Sequence, residues 1–418
     1  MNSNRKDLIY QILFFICIAV TYLNNYEVAF AVWVTTILFT LQLRYSVTFF
    51  KYVACFAAIL LIAMVSGIFR EHGLYKAIRD FTYLVKPIAG FFVGYQLCRL
   101  SSKKALDIIV TTGAIIAVIH LMILAIAFID TPVFTVNKLR SAGGYFSDYE
   151  IYVLIILIFH KEFQLNYSKQ KLWFLIALLG ISSFLYLART NFIQFVILFI
   201  GLKGYYVINT RSVRVLSTVI GATLLVYGAI WYSNPIRNGK GLEAFLYKVK
   251  IAPIEPFKTR INTENWKDFN DNYRSYENII AVRQVSREGL DAILFGEGLG
   301  ATLDLGREVW SNDGEMVRYI PIVHNGYMTV FLKSGILGVL FLLLFIVLLF
   351  RQQKSEDKLI TQINFLLVGT SIFLIVSNWV FLGLYLKLDN KSILIGYLLC
   401  LKQVISNENS KKVSVLET

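Results

Sequence analysis

His324, in His324-Asn325-Gly326-Tyr327 shortly after Pro321, is the side chain of this sequence best placed to move a proton. An imidazole titrates near neutral pH, and this one stands where a long hydrophilic segment gives way to an apolar run, so it can exchange a proton with a bound substrate. For a lone histidine, a plain hydrogen-bonding role at an interface is the commoner explanation. His72 falls in a short loop, His120 inside an apolar run and His160 in a loop of the opposite set. Two arginines share the side of His324. Arg189 lies between two apolar runs in Ala188-Arg189-Thr190-Asn191, and Arg140 opens Arg140-Ser141-Ala142-Gly143-Gly144-Tyr145-Phe146-Ser147-Asp148. Guanidinium forks bind phosphate bidentately, although an arginine between apolar runs also stays solvated by snorkelling.

More arginines occur between Tyr273 and Leu294. At about 100° per residue, Tyr276, Ile279, Ile280, Leu290 and Leu294 share one helix face, with Arg283 and Arg287 in its middle. Two arginines inside an apolar stripe predict a face pressed against the rest of the protein and aimed at an anion; snorkelling, or a break near Gly289, is the alternative. Arg274 lies opposite, one turn before Glu277, as an ordinary surface pair. Phe295-Gly296-Glu297-Gly298-Leu299-Gly300 follows. Its glycines can present N–H groups to a phosphate, but without a strand–helix unit or a Walker lysine a tight turn is the better reading. Asp268, Asp271, Asp304 and Asp313 fit no EF-hand spacing, and no paired-histidine or serine-elbow motif is present. No metal and no cofactor is expected.

The elements that must position these residues are membrane-spanning. Of 418 residues, 56% are hydrophobic and only 16% charged, which excludes a soluble cytosolic enzyme and a disordered chain. At about 20 apolar residues per span, about twelve spans are predicted: Leu8–Leu23, Val28–Leu43, Tyr52–Phe69, Phe81–Leu97, Ala105–Ile129, Tyr149–Phe159, Leu172–Leu187, Asn191–Ile208, Val215–Trp231, Gly335–Phe350, Leu359–Val380 and Ile393–Ile405. The start of the chain has the charge pattern of a signal peptide but no clean cleavage site, so it counts as the first span. The predicted organisation is nine spans in 1–232, a large loop at 233–321, three spans in 322–405 and a tail at 406–418. Cys17, Cys55, Cys98 and Cys400 all lie in apolar stretches, as small buried hydrophobes.

The net charge of +14 reflects loop asymmetry rather than nucleic-acid binding, since no basic tract accompanies it. One alternating loop set carries Arg44, Lys51, Arg99, Lys104, Lys161, Lys203, Arg211, Arg214, Arg351, Lys354 and Lys402, among others. The short loops of the other set hold far fewer basic residues. The positive-inside tendency then predicts both termini in the cytoplasm; Arg70 and Arg79 fit this least well. The loop at 233–321 holds four of the six prolines and many aromatics, including Phe245, Tyr247, Phe257, Trp266, Phe269, Trp310 and Tyr319. A loop of this length implies function. Its aromatic faces suit sugar rings, or else pack the loop against itself.

Together these residues resemble the O-antigen polymerase and O-antigen ligase family of bacterial envelope glycosyltransferases. His324-Asn325, nine residues, then Gly335-x-x-Gly338 matches the family's His-(Asn/Ser/Gln)-x9-Gly-x-x-Gly pattern. Ala188-Arg189-Thr190 is similar to its Ser/Thr-Arg-Thr/Ala element, the Arg140 stretch to Arg-x-x-Gly-x-Phe, and Leu294-Phe295-Gly296-Glu297-Gly298 to Phe-Gly-x-Gly. The motif matches are concentrated in residues 140–148, 188–191 and 274–338.

The resemblance implies an all-α, GT-C-like polytopic bundle in the bacterial inner membrane with one large periplasmic loop. It also implies a metal-independent, inverting glycosyltransferase whose donor is a glycan on undecaprenyl diphosphate. His324, Arg189 and Arg283 would be catalytic; Arg274, Arg287, Arg140 and Asn325 would bind substrate. The family's loop arginine sits nearer the glycine turn than Arg274 but not as near as Arg283, so helix-face geometry favours Arg283 and the Arg-x-x-Glu setting favours Arg274. The bilayer, a chain-length regulator and a flippase are the implied partners. The Arg140 stretch and Leu332-Lys333-Ser334-Gly335 look more like a polymerase than a ligase. A transporter is the reading from another class, disfavoured because no internal repeat is apparent. Lys333, two turns into the tenth helix, is expected either above the bilayer or facing a wet cavity.

Overall fold

The computed structural model describes residues 3–42, 44–70, 72–130, 136–144, 147–237, 242–310, 314–352 and 354–416. Tyr145 and Phe146 of the Arg140 stretch, and Asp313, lie outside the described residues.

The chain is mostly helical. Before the long loop come α1 (Ser3–Ala19), α2 (Tyr26–Phe39), α3 (Val47–Ile68), α4 (Leu74–Ser101), α5 (Ala105–Asp130), α6 (Val136–Gly143), α7 (Asp148–Ile158), α8 (Lys169–Leu185), α9 (Arg189–Leu202) and α10 (Thr210–Ser233). The loop holds α11 (Leu242–Ile251), a 3-10 turn at Glu255–Phe257, α12 (Trp266–Asp271), α13 (Tyr273–Arg287), α14 (Leu290–Phe295) and an antiparallel hairpin of β1 (Leu303–Trp310) and β2 (Met316–Ile320). After it come α15 (Gly326–Phe350), α16 (Lys358–Val380) and α17 (Lys391–Leu416). The hairpin is the departure from an all-helical expectation. The loop, read from sequence as hydrophilic and proline-rich with one helix between Tyr273 and Leu294, is a folded unit.

Among the described residues, five helices are long and apolar enough to cross a membrane: α3, α5, α10, α15 and α16. The apolar segments at α1, α2 and α9 are shorter. Helix α7, 11 residues and about 16 Å long, is buried along nearly its whole length in the main core. Helix α10 is its opposite, with Ser212 its one buried residue. Elsewhere the bundle packs closely. A Cβ on Gly94 of α4 would lie 2.7 Å from Tyr397 N of α17, so only glycine admits that backbone approach.

The loop has its own apolar core, built on Phe269, Ala281, Val285, Ala292, Leu303 and Leu305, which continues into α15 through Phe331 and Leu332. Its attachment to the bundle depends on a break in α15. Ser334 and Gly335 leave helical geometry, Gly335 with φ +62°, and the carbonyls one turn earlier turn outward. Leu332 O accepts from Glu297 N at 2.8 Å and Lys333 O from Gly298 N at 3.1 Å. Leu299 N donates to Ala63 O at 2.9 Å, and Gly300 N to Asp80 Oδ2 at 2.8 Å. The turn therefore spends these N–H groups on α3, α4 and α15, which favours the tight-turn reading over a phosphate cradle. Gly296, Gly298 and Gly300 all have positive φ, 78° to 90°. A Cβ on Gly298 would also meet the Gly67 backbone.

Lys333 corrects the sequence expectation. It faces no wet cavity: its side chain is 2% exposed and bonds to Asp80 and to Ala301 O. Arg79 adds a 3.1 Å contact to Asp80. Arg70 pairs with Glu288 at 3.3 Å and Asp291 at 3.2 Å, beyond α13 and in α14. The two basic residues that fitted the loop-charge pattern least are thus used to dock the long loop.

Removing one member of a buried pair leaves the other poorly compensated, at a cost of about 3 kcal/mol. Lys333→Met should lower stability by that order in detergent unfolding, and Lys333→Met with Asp80→Asn should recover most of the loss. Equal instability of the single and double variants would contradict this account of the seam.

Candidate functional site

The site lies where α13 meets the N-terminus of α15. Asn325 caps α15, its side-chain oxygen accepting from Tyr327 N at 2.9 Å and Met328 N at 3.2 Å. Asn325, expected to bind substrate, thus caps the helix through its side-chain oxygen, and this fixes His324 just outside the first turn. Glu277 then secures the histidine twice. Its carboxylate accepts from His324 N at 3.0 Å and contacts the ring Nδ1 at 2.9 Å. A carboxylate only accepts, so Nδ1 carries the proton. Nε2 has no hydrogen-bond partner among the described residues.

Glu277 itself is fully buried, while the His324 side chain is 48% exposed. Burial depresses the imidazole pKa, but the hydrogen bond and charge of Glu277 outweigh it and hold the group above its ordinary 6.5. The Tyr273 ring stands edge-on to the imidazole, centroids 5.8 Å apart. Burial, then the Glu277 charge, pushes the Tyr273 phenol up.

Cations gather beside this pair. Arg274 approaches Glu255 at 3.9 Å and lies 5.5 Å over the Phe381 ring. Arg274 and Glu255 both act electrostatically on His324. Arg189, the first residue of α9, follows Leu187, whose φ of +48° turns the chain sharply into the helix. Its guanidinium donates to Lys248 O at 3.3 Å and lies within electrostatic reach of Arg274, Glu255 and Arg140. Burial holds the Glu255 carboxyl above its usual 4.5 although Arg274 and Arg189 both favour the charged form.

The structure therefore brings together His324, Arg189, Arg274 and Arg140 of the residues singled out from sequence. Arg283 and Arg287 correct the helix-face expectation: both are exposed, while the deepest stripe of α13 runs through Glu277, Ala281 and Val285. Arg283 is nine residues beyond Arg274, about 180° around the helix. The apolar count went wrong because a glutamate and an alanine, rather than the isoleucines, form the buried face. Glu277 is buried because His324 and its backbone N–H satisfy it. Likewise Arg274 and Glu277 are not a surface pair, since Arg274 turns to Glu255 and Glu277 to His324.

Sequence reasoning missed Glu277, Glu255 and Tyr273 as site residues. Glu277 carried one usable signal, a carboxylate four residues after Tyr273 on the same helix face. Glu255 carried none, being an ordinary acid in a proline-flanked turn. Phe269 is buried in the loop core, whereas Phe257 is 72% exposed, beside Trp379 with ring centroids 5.9 Å apart. Among the described residues, no group of three or more His, Cys, Asp or Glu is placed to hold a metal ion. No protein-family model matches this chain, and no curated protein matches it.

Because His324 titrates higher in the folded chain, its pair with Glu277 stabilises the fold fully below pH 6.5, and that contribution is lost as pH rises through the raised value. The thermal midpoint of the purified protein should fall across that window, and His324→Gln should flatten the decline. An unchanged slope in His324→Gln would show that the pair does not carry the effect.

Proposed function

We propose that the chain is a polytopic inner-membrane glycosyltransferase with about twelve spans and both termini cytoplasmic. In this reading it is a polysaccharide polymerase that joins repeat units carried on undecaprenyl diphosphate at the periplasmic face. The observation that carries it is a run of cations, Arg140 beside Arg189 and Arg189 beside Arg274, that ends at a histidine whose ring is held by a buried carboxylate.

That arrangement suits transfer from a lipid diphosphate without a metal. As the bond between the anomeric carbon and the phosphate oxygen breaks, negative charge grows on the diphosphate, and the forks of Arg189 and Arg274 are positioned to take it up. The acceptor hydroxyl gives its proton to His324 Nε2 as its oxygen bonds to the anomeric carbon from the opposite side, inverting the centre. Glu277 keeps the Nδ1 proton in place and stabilises the imidazolium, the part a buried aspartate plays behind a catalytic histidine.

Transfer to lipid A core by a ligase uses the same chemistry, and a lipopolysaccharide gel of a deletion strain separates the two. One repeat on the core marks a lost polymerase; bare core with accumulated lipid-linked polymer marks a lost ligase. One observation favours the transporter reading: buried Lys86, Asp148, Asp389 and Lys391 form a polar group among α4, α7 and α17. Its charges are paired with one another or with carbonyls, which supports a packing role. Single repeats held on the cytoplasmic leaflet would instead indicate transport.

His324→Ala, Arg189→Ala and Arg274→Ala should each abolish polymer beyond one repeat unit while leaving membrane-inserted protein undiminished, and Arg283→Ala should retain polymer. Wild-type polymer from His324→Ala would refute the assignment. In a reconstituted assay the rising limb of the pH–rate profile should lie above the ordinary histidine value of 6.5, since the base must be neutral. Glu277→Gln should shift it toward that value and lower kcat.

A further inference from the structure

The most unexpected member of the arginine group is an acid. Glu255 sits on the 3-10 turn Glu255–Phe257 with its side chain 17% exposed. Three cationic or protonatable groups act on it, Arg274, Arg189 and His324, against a single acid, Asp271. These are the groups to which the proposed activity assigns the leaving diphosphate and the acceptor proton. The carboxylate is not locked to any of them. Its contact with Arg274 is 3.9 Å, well beyond the 2.7–2.9 Å of a charge-assisted hydrogen bond. Its backbone, by contrast, is held: Ser275 Oγ, next to Arg274, donates to Glu255 O. The turn is thus pinned to α13 while the side chain rests loosely against the guanidinium.

We propose that Glu255 is a specificity-determining residue, a built-in competing carboxylate that lets the Arg189–Arg274 site accept a lipid diphosphate while rejecting lipids with one phosphate charge. The inference rests on the reading that these arginines bind a lipid-linked anion.

Charge arithmetic carries the argument. The two arginines of this site and Glu255 sum to +1, and Arg140 beside Arg189 raises the local charge to +2. A phosphodiester headgroup, with a single negative charge, can neutralise one arginine only by approaching Glu255 or displacing it, and gains little. A diphosphate diester carries two charges on neighbouring phosphates. It can engage both forks at once and outcompete the carboxylate. A protein whose anion site lies at a bilayer surface is surrounded by single-charge phospholipids at high local concentration. Discrimination there needs a repulsive element as well as an attractive one, and Glu255 is that element.

The test is binding of two water-soluble probes to the full chain in detergent: a diphosphate diester, farnesyl diphosphoryl glucose, with two charges, and a monophosphate diester, farnesyl methyl phosphate, with one. Wild type should prefer the diphosphate. Glu255→Gln should bind the monophosphate about tenfold more tightly with a much smaller change for the diphosphate, the scale of one like-charge contact at an exposed site. Glu255→Ala should do the same, which guards against a folding defect peculiar to the glutamine. Arg274→Gln should weaken both probes. If Arg274→Gln weakens binding but both Glu255 variants keep the wild-type preference, the selectivity role is wrong and the anion site stands. If no variant, nor wild type, binds either probe, the anion site itself is wrong and the selectivity role falls with it.

Discussion

Backbone groups buried away from water must find partners within the protein, and the break in α15 is where this chain meets that constraint in an unusual way. An intact helix would satisfy the carbonyls of Leu332 and Lys333 internally. The non-helical Ser334–Gly335 step releases them, and the N–H groups of Glu297 and Gly298 take them up. One helix break thereby docks an entire loop. Everything chemically interesting in the loop hangs from this joint, because α14 leads into the glycine turn and α13 leads into α14. Asp80 closes the joint from the other side, accepting from Gly300 N and bonding to Lys333.

Docking in turn makes the burial of Glu277 possible. A carboxylate removed from water is expensive unless hydrogen-bonded and paired. Here the chain entering α15 supplies both a backbone N–H and an imidazole. The histidine gains a fixed ring orientation and proton position; the glutamate gains the partners that let it lie under the loop. Neither residue is set by its own element. The capped start of α15 and the buried stripe of α13 must meet before the pair exists.

Carboxylates offset part of the positive charge at the site, which is unexpected for a proposed diphosphate pocket. Arg274 faces Glu255, His324 faces Glu277, and Arg189 donates to a backbone carbonyl with Arg140 nearby. Strong cationic character in an exposed position would attract any anion. Tempering it with carboxylates exchanges raw affinity for discrimination, the general logic of specific binding.

Much of this molecule was legible without coordinates. The apolar runs, the long loop, the histidine at the start of α15, Arg189 and Arg140 all follow from residue type and spacing, because span length and solvation of charged groups depend on composition over short windows. The tight character of the glycine turn was legible for the same reason. Which face of α13 turns inward was not. Apolar periodicity presumes that water lies on the polar side, and it cannot anticipate a glutamate whose partners arrive from 47 residues away. Nor could it assign Lys333, whose burial depends on Asp80, 253 residues distant. The sequence alone determined which segments are apolar and which charged residues stand beside them. The tertiary structure decided which arginine joins the histidine, since long-range pairing determines which charges can leave water.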